Sequence, residues 1–219
     1  MARKVILITY NGGPANFLPG VEKDRRTYLE YFKSRTGGAY TSNEIIEFQN
    51  DPMLTVTFFD TIIRGLINQQ GITHLVIVFC GHGYEATNGN TFLVLSPQLT
   101  CSVQRISTLC TGAETLLITD CCRCIGPVAI KRFHIGNPLF NVAYATDHGQ
   151  FALEDKKGGI YTRQLIKAGH CIQFPNPHKP YPISSVQRLA SIWTLSATEE
   201  TQHPQINGVQ INNLIFSYY

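Results

Sequence analysis

Leu116-Leu117-Ile118-Thr119-Asp120-Cys121-Cys122 is an apolar run that stops abruptly at an acid and two thiols. A second run of the same kind, Leu75 to Phe79, stops at Cys80-Gly81-His82-Gly83. Short continuous apolar runs closed by turn residues read as strands buried on both faces of a parallel sheet. Each run delivers a reactive side chain at its carboxyl end, the rim where open α/β sheets bind ligands. A thiol (Cys122) and an imidazole (His82) on one rim suggest a cysteine nucleophile with a histidine base, and so peptidase chemistry.

Outward from these runs, the chain alternates strands with helices. Val5 to Tyr10 reads as a strand closed by Asn11-Gly12-Gly13-Pro14, and Val21, Tyr28, Leu29 and Phe32 recur at helical spacing. Glu44 to Gln49 fits a second strand, and Val56, Phe59, Ile63 and Leu66 mark an amphipathic helix before Leu75. Phe92 to Leu95 predicts a hairpin arm beside the site, and Val103 to Cys110 a short helix. Beyond Cys122, Asn141 to Ala145 reads as a strand, and Ile160 to Ala168 and Ser185 to Leu195 as helices. Leu214-Ile215-Phe216 is the expected sixth strand, at the sheet edge, and Pro175 to Pro182 an expected loop. Right-handed crossovers then give a mostly parallel sheet with helices on both faces.

The 219 residues suit one well-buried domain, and 43% hydrophobic with 15% charged residues describes a globular chain. A net charge of +3 with scattered Lys and Arg argues against a nucleic-acid partner. No apolar run reaches the roughly 20 residues of a membrane span. Met1-Ala2-Arg3-Lys4 enters a strand without the pattern of a secretory signal. Seven cysteines, odd in number and irregularly spaced, read as reduced thiols, so a cytoplasmic location is expected.

A free thiol with pKa near ~8.5 is mostly protonated at neutral pH, so the nucleophile needs an imidazole or dipole neighbour. Alternation along a strand puts Asp120 on the face of Cys122, and Cys80 on that of His82. Asp120 is thereby placed to line a pocket for a cationic side chain, with Cys80 as a further lining residue. The backbone N–H groups of Gly83 and Cys122 are candidates for an oxyanion hole. Cys121-Cys122-Arg123-Cys124 lacks the second pair of ligands that a structural zinc site would need, so neither a metal nor another cofactor is expected. Cys121 and Cys124 are instead candidates for a resolving thiol in reversible oxidation.

Cys80-Gly81-His82-Gly83 and Asp120-Cys121-Cys122-Arg123 together resemble the paired motifs of caspase-like peptidases. Their separation of 40 residues is close to the spacing of roughly 50 known for caspases. Asp120, two residues before the thiol, is similar to the paracaspase and metacaspase pattern, as are Gly81 to Glu85, Gly89 to Phe92 and Tyr144-Ala145-Thr146 with Gly149, Ala152 and Glu154. The resemblance implies a three-layer sandwich around a six-stranded sheet and a thiol protease that hydrolyses peptide bonds after Arg or Lys. His82 and Cys122 would be catalytic, and Asp24 and Asp120 would hold the basic side chain. A third pocket acid of paracaspases falls, by position, on Phe151, which implies a differently shaped selectivity. The segment after His82 holds one acid, Glu85, so calcium activation is not expected.

The expected organisation is a single peptidase domain over 1–219, with catalytic motifs in 74–126, an activation-type loop near 123–138 and a C-terminal subregion over 139–219. Self-cleavage is expected at Lys131 or Arg132 in that loop. The expected partners are a protein or peptide substrate and a second copy of the chain, paired through the C-terminal edge strand. The alternative is a non-catalytic caspase-like scaffold or regulatory domain.

Overall fold

The carboxyl ends of two neighbouring strands carry the expected thiol and imidazole, and the sheet topology explains why. The computed structural model describes residues 2–124, 136–172, 180–208 and 215–218. The first half runs β1 (Arg3–Tyr10), α1 (Val21–Lys33), β2 (Ile45–Gln49), α2 (Val56–Arg64), β3 (His74–Gly81). An antiparallel arm follows, formed by β4 (Gly83–Glu85), β5 (Thr91–Ser96) and β6 (Leu99–Ser102). Next come α3 (Val103–Leu109), β7 (Glu114–Asp120) and β8 (Phe140–Tyr144). The chain continues with β9 (Glu154–Asp155), β10 (Gly158–Gly159), α4 (Ile160–Cys171), β11 (Tyr181–Pro182), α5 (Ile183–Ala197), β12 (Gln205–Asn207) and β13 (Ile215–Ser217).

Six strands form the central sheet in the order β12-β8-β7-β3-β1-β2. All pairings are parallel except β12 against β8. The chain leaves β1 to one side for β2 and returns on the other side for β3, so the strand order reverses between β1 and β3. Such a switch point opens a crevice at the carboxyl ends of the strands.

Alternation along the strands separates two apolar layers. Leu75, Ile77 and Phe79 of β3 and Leu117 of β7 face Phe59 and Ile63 of α2 and Val103, Ile106 and Leu109 of α3. Val78 and Cys80 of β3 and Leu116 and Ile118 of β7 face Tyr28 and Phe32 of α1, Tyr161 and Leu165 of α4, and Val186 and Ala190 of α5. Thr55 starts α2 by accepting the Phe58 N–H, and the expected periodicity carries through Leu66 by way of a wider turn in which the Gln70 N–H reaches the Gly65 carbonyl.

The sixth strand differs from expectation. Gln205–Asn207 forms the edge, whereas Ile215–Ser217 pairs with β11 in a separate two-stranded ribbon. Phe216 is buried among the rings of Tyr31 and Phe32, and its carbonyl accepts the Tyr31 hydroxyl at 3.0 Å. The more apolar segment therefore goes under a helix, and the more polar one takes the edge. Tyr181–Pro182, expected in a loop, is the partner strand of that ribbon, while 173–179, Leu214 and the loop residues 125–135, with Lys131 and Arg132, lie outside the described residues. No helix among the described residues is long and apolar enough to cross a membrane.

Candidate active site

The register of β3 and β7 sets the geometry. Cys80 is opposite Asp120, so His82 and Cys122, each two residues further on, leave the sheet level with one another from adjacent strands. Adjacent strands are about 4.8 Å apart. Gly83 follows directly, and a side chain there would meet Cys121 Sγ at 2.6 Å and the Cys122 carbonyl at 3.1 Å. Glycine thus permits β4 to approach the loop that bears the thiol.

His82 sits at the switch point, against the loop after β1. Its Nε2 donates to the Asn16 carbonyl at 2.5 Å, which fixes the proton on Nε2 and leaves Nδ1 as the basic nitrogen. Gly12 makes room for this contact. It has φ of +82°, and a Cβ there would stand 2.7 Å from His82 Nε2. Asn16 carries no signature in the sequence because its backbone oxygen makes the contact.

Cys122 is half-buried, and burial is the main reason its thiol is held above the ordinary cysteine range. The Ala152 N–H opposes that rise by hydrogen-bonding the sulfur, and the negative charge of Asp120 adds to it. No hydrogen bond joins Cys122 to His82. The Cys124 thiol is within hydrogen-bond reach of two acceptors, the Gln150 carbonyl at 3.4 Å and the Cys122 sulfur. Cys121 is buried on the opposite face within the α2 and α3 layer.

Beside the thiol, three carboxylates converge. Asp24 belongs to the first turn of α1, yet it is 3% exposed and faces the interior. Its Oδ1 accepts the Gly159 N–H at 2.8 Å, while Asp120 Oδ2 accepts the Thr162 N–H at 3.1 Å and its hydroxyl at 2.7 Å. Both acids therefore satisfy N–H groups at the start of α4, whose N-cap Gly159 has no side chain to do so. Glu154 accepts the Gly20 N–H at 3.2 Å and interacts with both aspartates and with His82 through its charge. Among the described residues none of the three is in an ion pair.

Burial and mutual repulsion push all three carboxyls upward. Asp24 rises to about 8, first from burial and then from the charge of Asp120, and Asp120 rises to about 6, first from burial. Glu154 moves the same way, again chiefly from burial. A positive charge placed beside these groups would favour their ionised forms.

Two sequence expectations change here. Phe151, placed by position at the third acid, is exposed, and the third carboxylate beside the two aspartates is Glu154. The reason is the tight fold-back of β9 on β10, which pairs Glu154 with Gly159 and turns the acid toward the aspartates. Cys80 is fully buried next to Asp24 and Asp120, with its thiol pushed well up by burial, so it does not line a surface open to a ligand as expected. No cluster of three or more metal-ligating side chains occurs among the described residues.

No protein-family model matches the sequence. No curated protein matches it either. The structure is similar to caspase-1 from Spodoptera frugiperda, with a TM-score of 0.66 and 14% identity over 99% of this chain and 90% of that one. The fold is therefore caspase-like.

Proposed function

We propose that the chain is a cysteine endopeptidase of the paracaspase and metacaspase kind, acting as one peptidase domain and cutting after Arg or Lys. The observation that carries this reading is the convergence of Asp24, Asp120 and Glu154, without an ion-pair partner among the described residues, beside a thiol level with an oriented imidazole. A guanidinium or ammonium entering between the carboxylates makes charge-assisted hydrogen bonds and relieves their repulsion. Asp120 lies two residues from Cys122 on the same face, so the basic side chain anchors the scissile carbonyl next to the sulfur.

His82 Nδ1 takes the thiol proton as the sulfur attacks, and then gives it to the leaving amine. The Asn16 carbonyl holds the imidazole in the required tautomer throughout. The oxyanion is stabilised by the N–H groups of Gly83 and Cys122. The raised thiol pKa means that the resting nucleophile is protonated and that proton transfer accompanies attack. A bound cation also neutralises Asp120, which removes one of the charges that raise the thiol.

The non-catalytic reading draws on one observation: Cys122 is bonded to the Ala152 amide and not to His82. A panel of fluorogenic peptides ending in Arg, Lys or Asp, with Cys122→Ala as control, tests both readings. Release after Arg or Lys by wild type alone is expected. Preference for Asp would overturn the pocket assignment, and no release under reducing conditions would favour the scaffold.

A further inference from the structure

A second buried polar cluster lies behind the thiol, away from the three acids. Arg123 directly follows Cys122, and its side chain is only 5% exposed. Glu85, at the end of β4, has a completely buried side chain, and His148 comes from the loop after β8. The Arg123 guanidinium lies 4.1 Å from the centre of the Tyr144 ring and donates to the Thr146 carbonyl at 3.2 Å.

His148 is the connector between the two charges. Its Nδ1 donates to Glu85 Oε1 at 2.5 Å and stands 3.0 Å from Arg123 Nη2 as a contact only, whereas Arg123 and Glu85 approach directly only to 3.5 Å. That last distance is at the limit of a useful hydrogen bond. Glu85 Oε2 and Arg123 Nε have no hydrogen-bond partner among the described residues, so the imidazole is the nearest donor to Glu85, while Arg123 keeps the Thr146 carbonyl and the Tyr144 ring. A buried, incompletely satisfied pair of this kind is poor as a stabilising device.

Its placement gives it a different use. Glu85 is three residues from His82, Arg123 is one from Cys122, and His148 belongs to the loop whose Gln150 carbonyl accepts the Arg123 N–H at 2.9 Å. The Glu85 N–H also reaches the Cys124 carbonyl at 3.2 Å, and the Gly149 N–H reaches the Arg123 carbonyl at 2.9 Å. The cluster thus joins the segment bearing the base, the segment bearing the nucleophile and the loop after β8.

We infer that Glu85 and His148 are positioning residues which, through Arg123, fix the Cys122 loop against the strand that carries His82. The inference rests on the peptidase reading above. It separates positioning from substrate affinity, because the basic side chain is held by Asp24, Asp120 and Glu154, none of which touches this cluster.

The test compares His148→Ala, His148→Gln and Glu85→Gln with wild type in steady-state hydrolysis of an arginyl peptide, thermal unfolding, and alkylation by iodoacetamide mapped to each cysteine. His148→Ala is expected to lower kcat at least tenfold with KM within about twofold. Its unfolding temperature should fall, because the fully buried Glu85 loses its nearest donor, so kcat is compared per folded molecule at a temperature well below the transition. His148→Gln, whose amide can both donate and accept, should recover most of kcat. Alkylation of Cys122 should quicken at least threefold in His148→Ala and Glu85→Gln as its burial loosens, while Cys171 on α4 keeps its rate. Unchanged kcat and unchanged Cys122 alkylation would overturn the inference, as would a kcat loss that only tracks loss of folded protein. If wild type cleaves no peptide, the peptidase reading fails, and the alkylation rates alone decide whether the cluster holds the Cys122 loop.

Discussion

Replacing Asp24 by asparagine should make the protein more stable and less able to bind a basic side chain. In the unfolded chain this carboxyl ionises near 3.8, whereas in the fold it keeps its proton up to about 8, chiefly because it is buried and faces Asp120. A carboxyl raised in this way leaves stability intact below 3.8, and stability then declines as pH rises through about 8. At pH 7 roughly three units separate solution pH from the unfolded value, and each unit is worth about 1.4 kcal/mol. Ionisable Asp24 therefore destabilises the fold by on the order of 4 kcal/mol at pH 7 relative to pH 3. Asparagine keeps the oxygen that accepts the Gly159 N–H at 2.8 Å and has no proton to lose. Asp24→Asn should raise the unfolding temperature by on the order of 10 °C at pH 7 and by little at pH 4. Thermal unfolding of both proteins across pH 4 to 8 measures the difference. A variant less stable than wild type at pH 7, or a constant gap at every pH, would refute the assignment of Asp24 as a buried, reluctantly ionised acid.

Affinity for an arginine-like reversible inhibitor, measured calorimetrically on Cys122→Ala, should rise by one to two orders of magnitude from pH 6 to pH 8. The cause is that the pocket, with apparent values of about 6 and about 8, becomes doubly ionised over that window; a flat profile would contradict it. Gly159→Ala should abolish cleavage after Arg, since a Cβ there would lie 3.0 Å from Asp24 Oδ2 and would press on Asp120; near-normal kcat/KM would show that the pocket lies elsewhere. Peroxide, as the oxidant, should inactivate the enzyme by first forming a sulfenate on Cys122, with water as the other product. Attack by the Cys124 thiol then expels a second water and leaves a Cys122–Cys124 disulfide, which dithiothreitol reduces. Cys124→Ser should make the loss irreversible whereas Cys121→Ser should not, because Cys121 is buried on the far face; equal behaviour of the two would remove Cys124 as the resolving thiol.

Much of this architecture is written in local patterns. Leu75 to Phe79 and Leu116 to Thr119 are continuous apolar runs because β3 and β7 are buried on both faces, and the residues that break those runs are the ones at the rim. Alternation alone separates Asp120 and Cys122 from Cys121. What could not be read depends on chain segments that meet only in space. Glu154 reaches the aspartates because a two-residue hairpin folds back on itself, and Asn16 contributes a backbone oxygen that any residue could supply. The buried cluster of Glu85, Arg123 and His148 joins three separate loops, so no spacing announces it. Hydrophobicity misled at the edge: Gln205-Ile206-Asn207 is polar because an edge strand faces solvent, and the apolar Phe216 is buried against Tyr31 and Phe32 of α1 instead.

The start of α4 explains why the excess of acid points to an external cation. Two free N–H groups and one hydroxyl there need acceptors, and Asp120 with one oxygen of Asp24 already satisfies them. A single neutral acceptor at each position would cap the helix as well, without forcing two carboxyls to hold protons far above their usual range. Glu154 adds a third negative group, whose one hydrogen bond here is to the Gly20 N–H at the start of α1 and not to α4. Structure that carries such a penalty regains stability when a partner of opposite charge binds the folded state alone. An arginine-like ligand at a hundred times its Kd should therefore raise wild-type stability by about 2.7 kcal/mol, visible as a shift of several degrees in unfolding temperature. The shift should be larger at pH 8 than at pH 6, should shrink in Asp24→Asn and should vanish in Asp24→Asn combined with Asp120→Asn. An equal shift in the double variant would mean that the ligand binds somewhere other than among these acids.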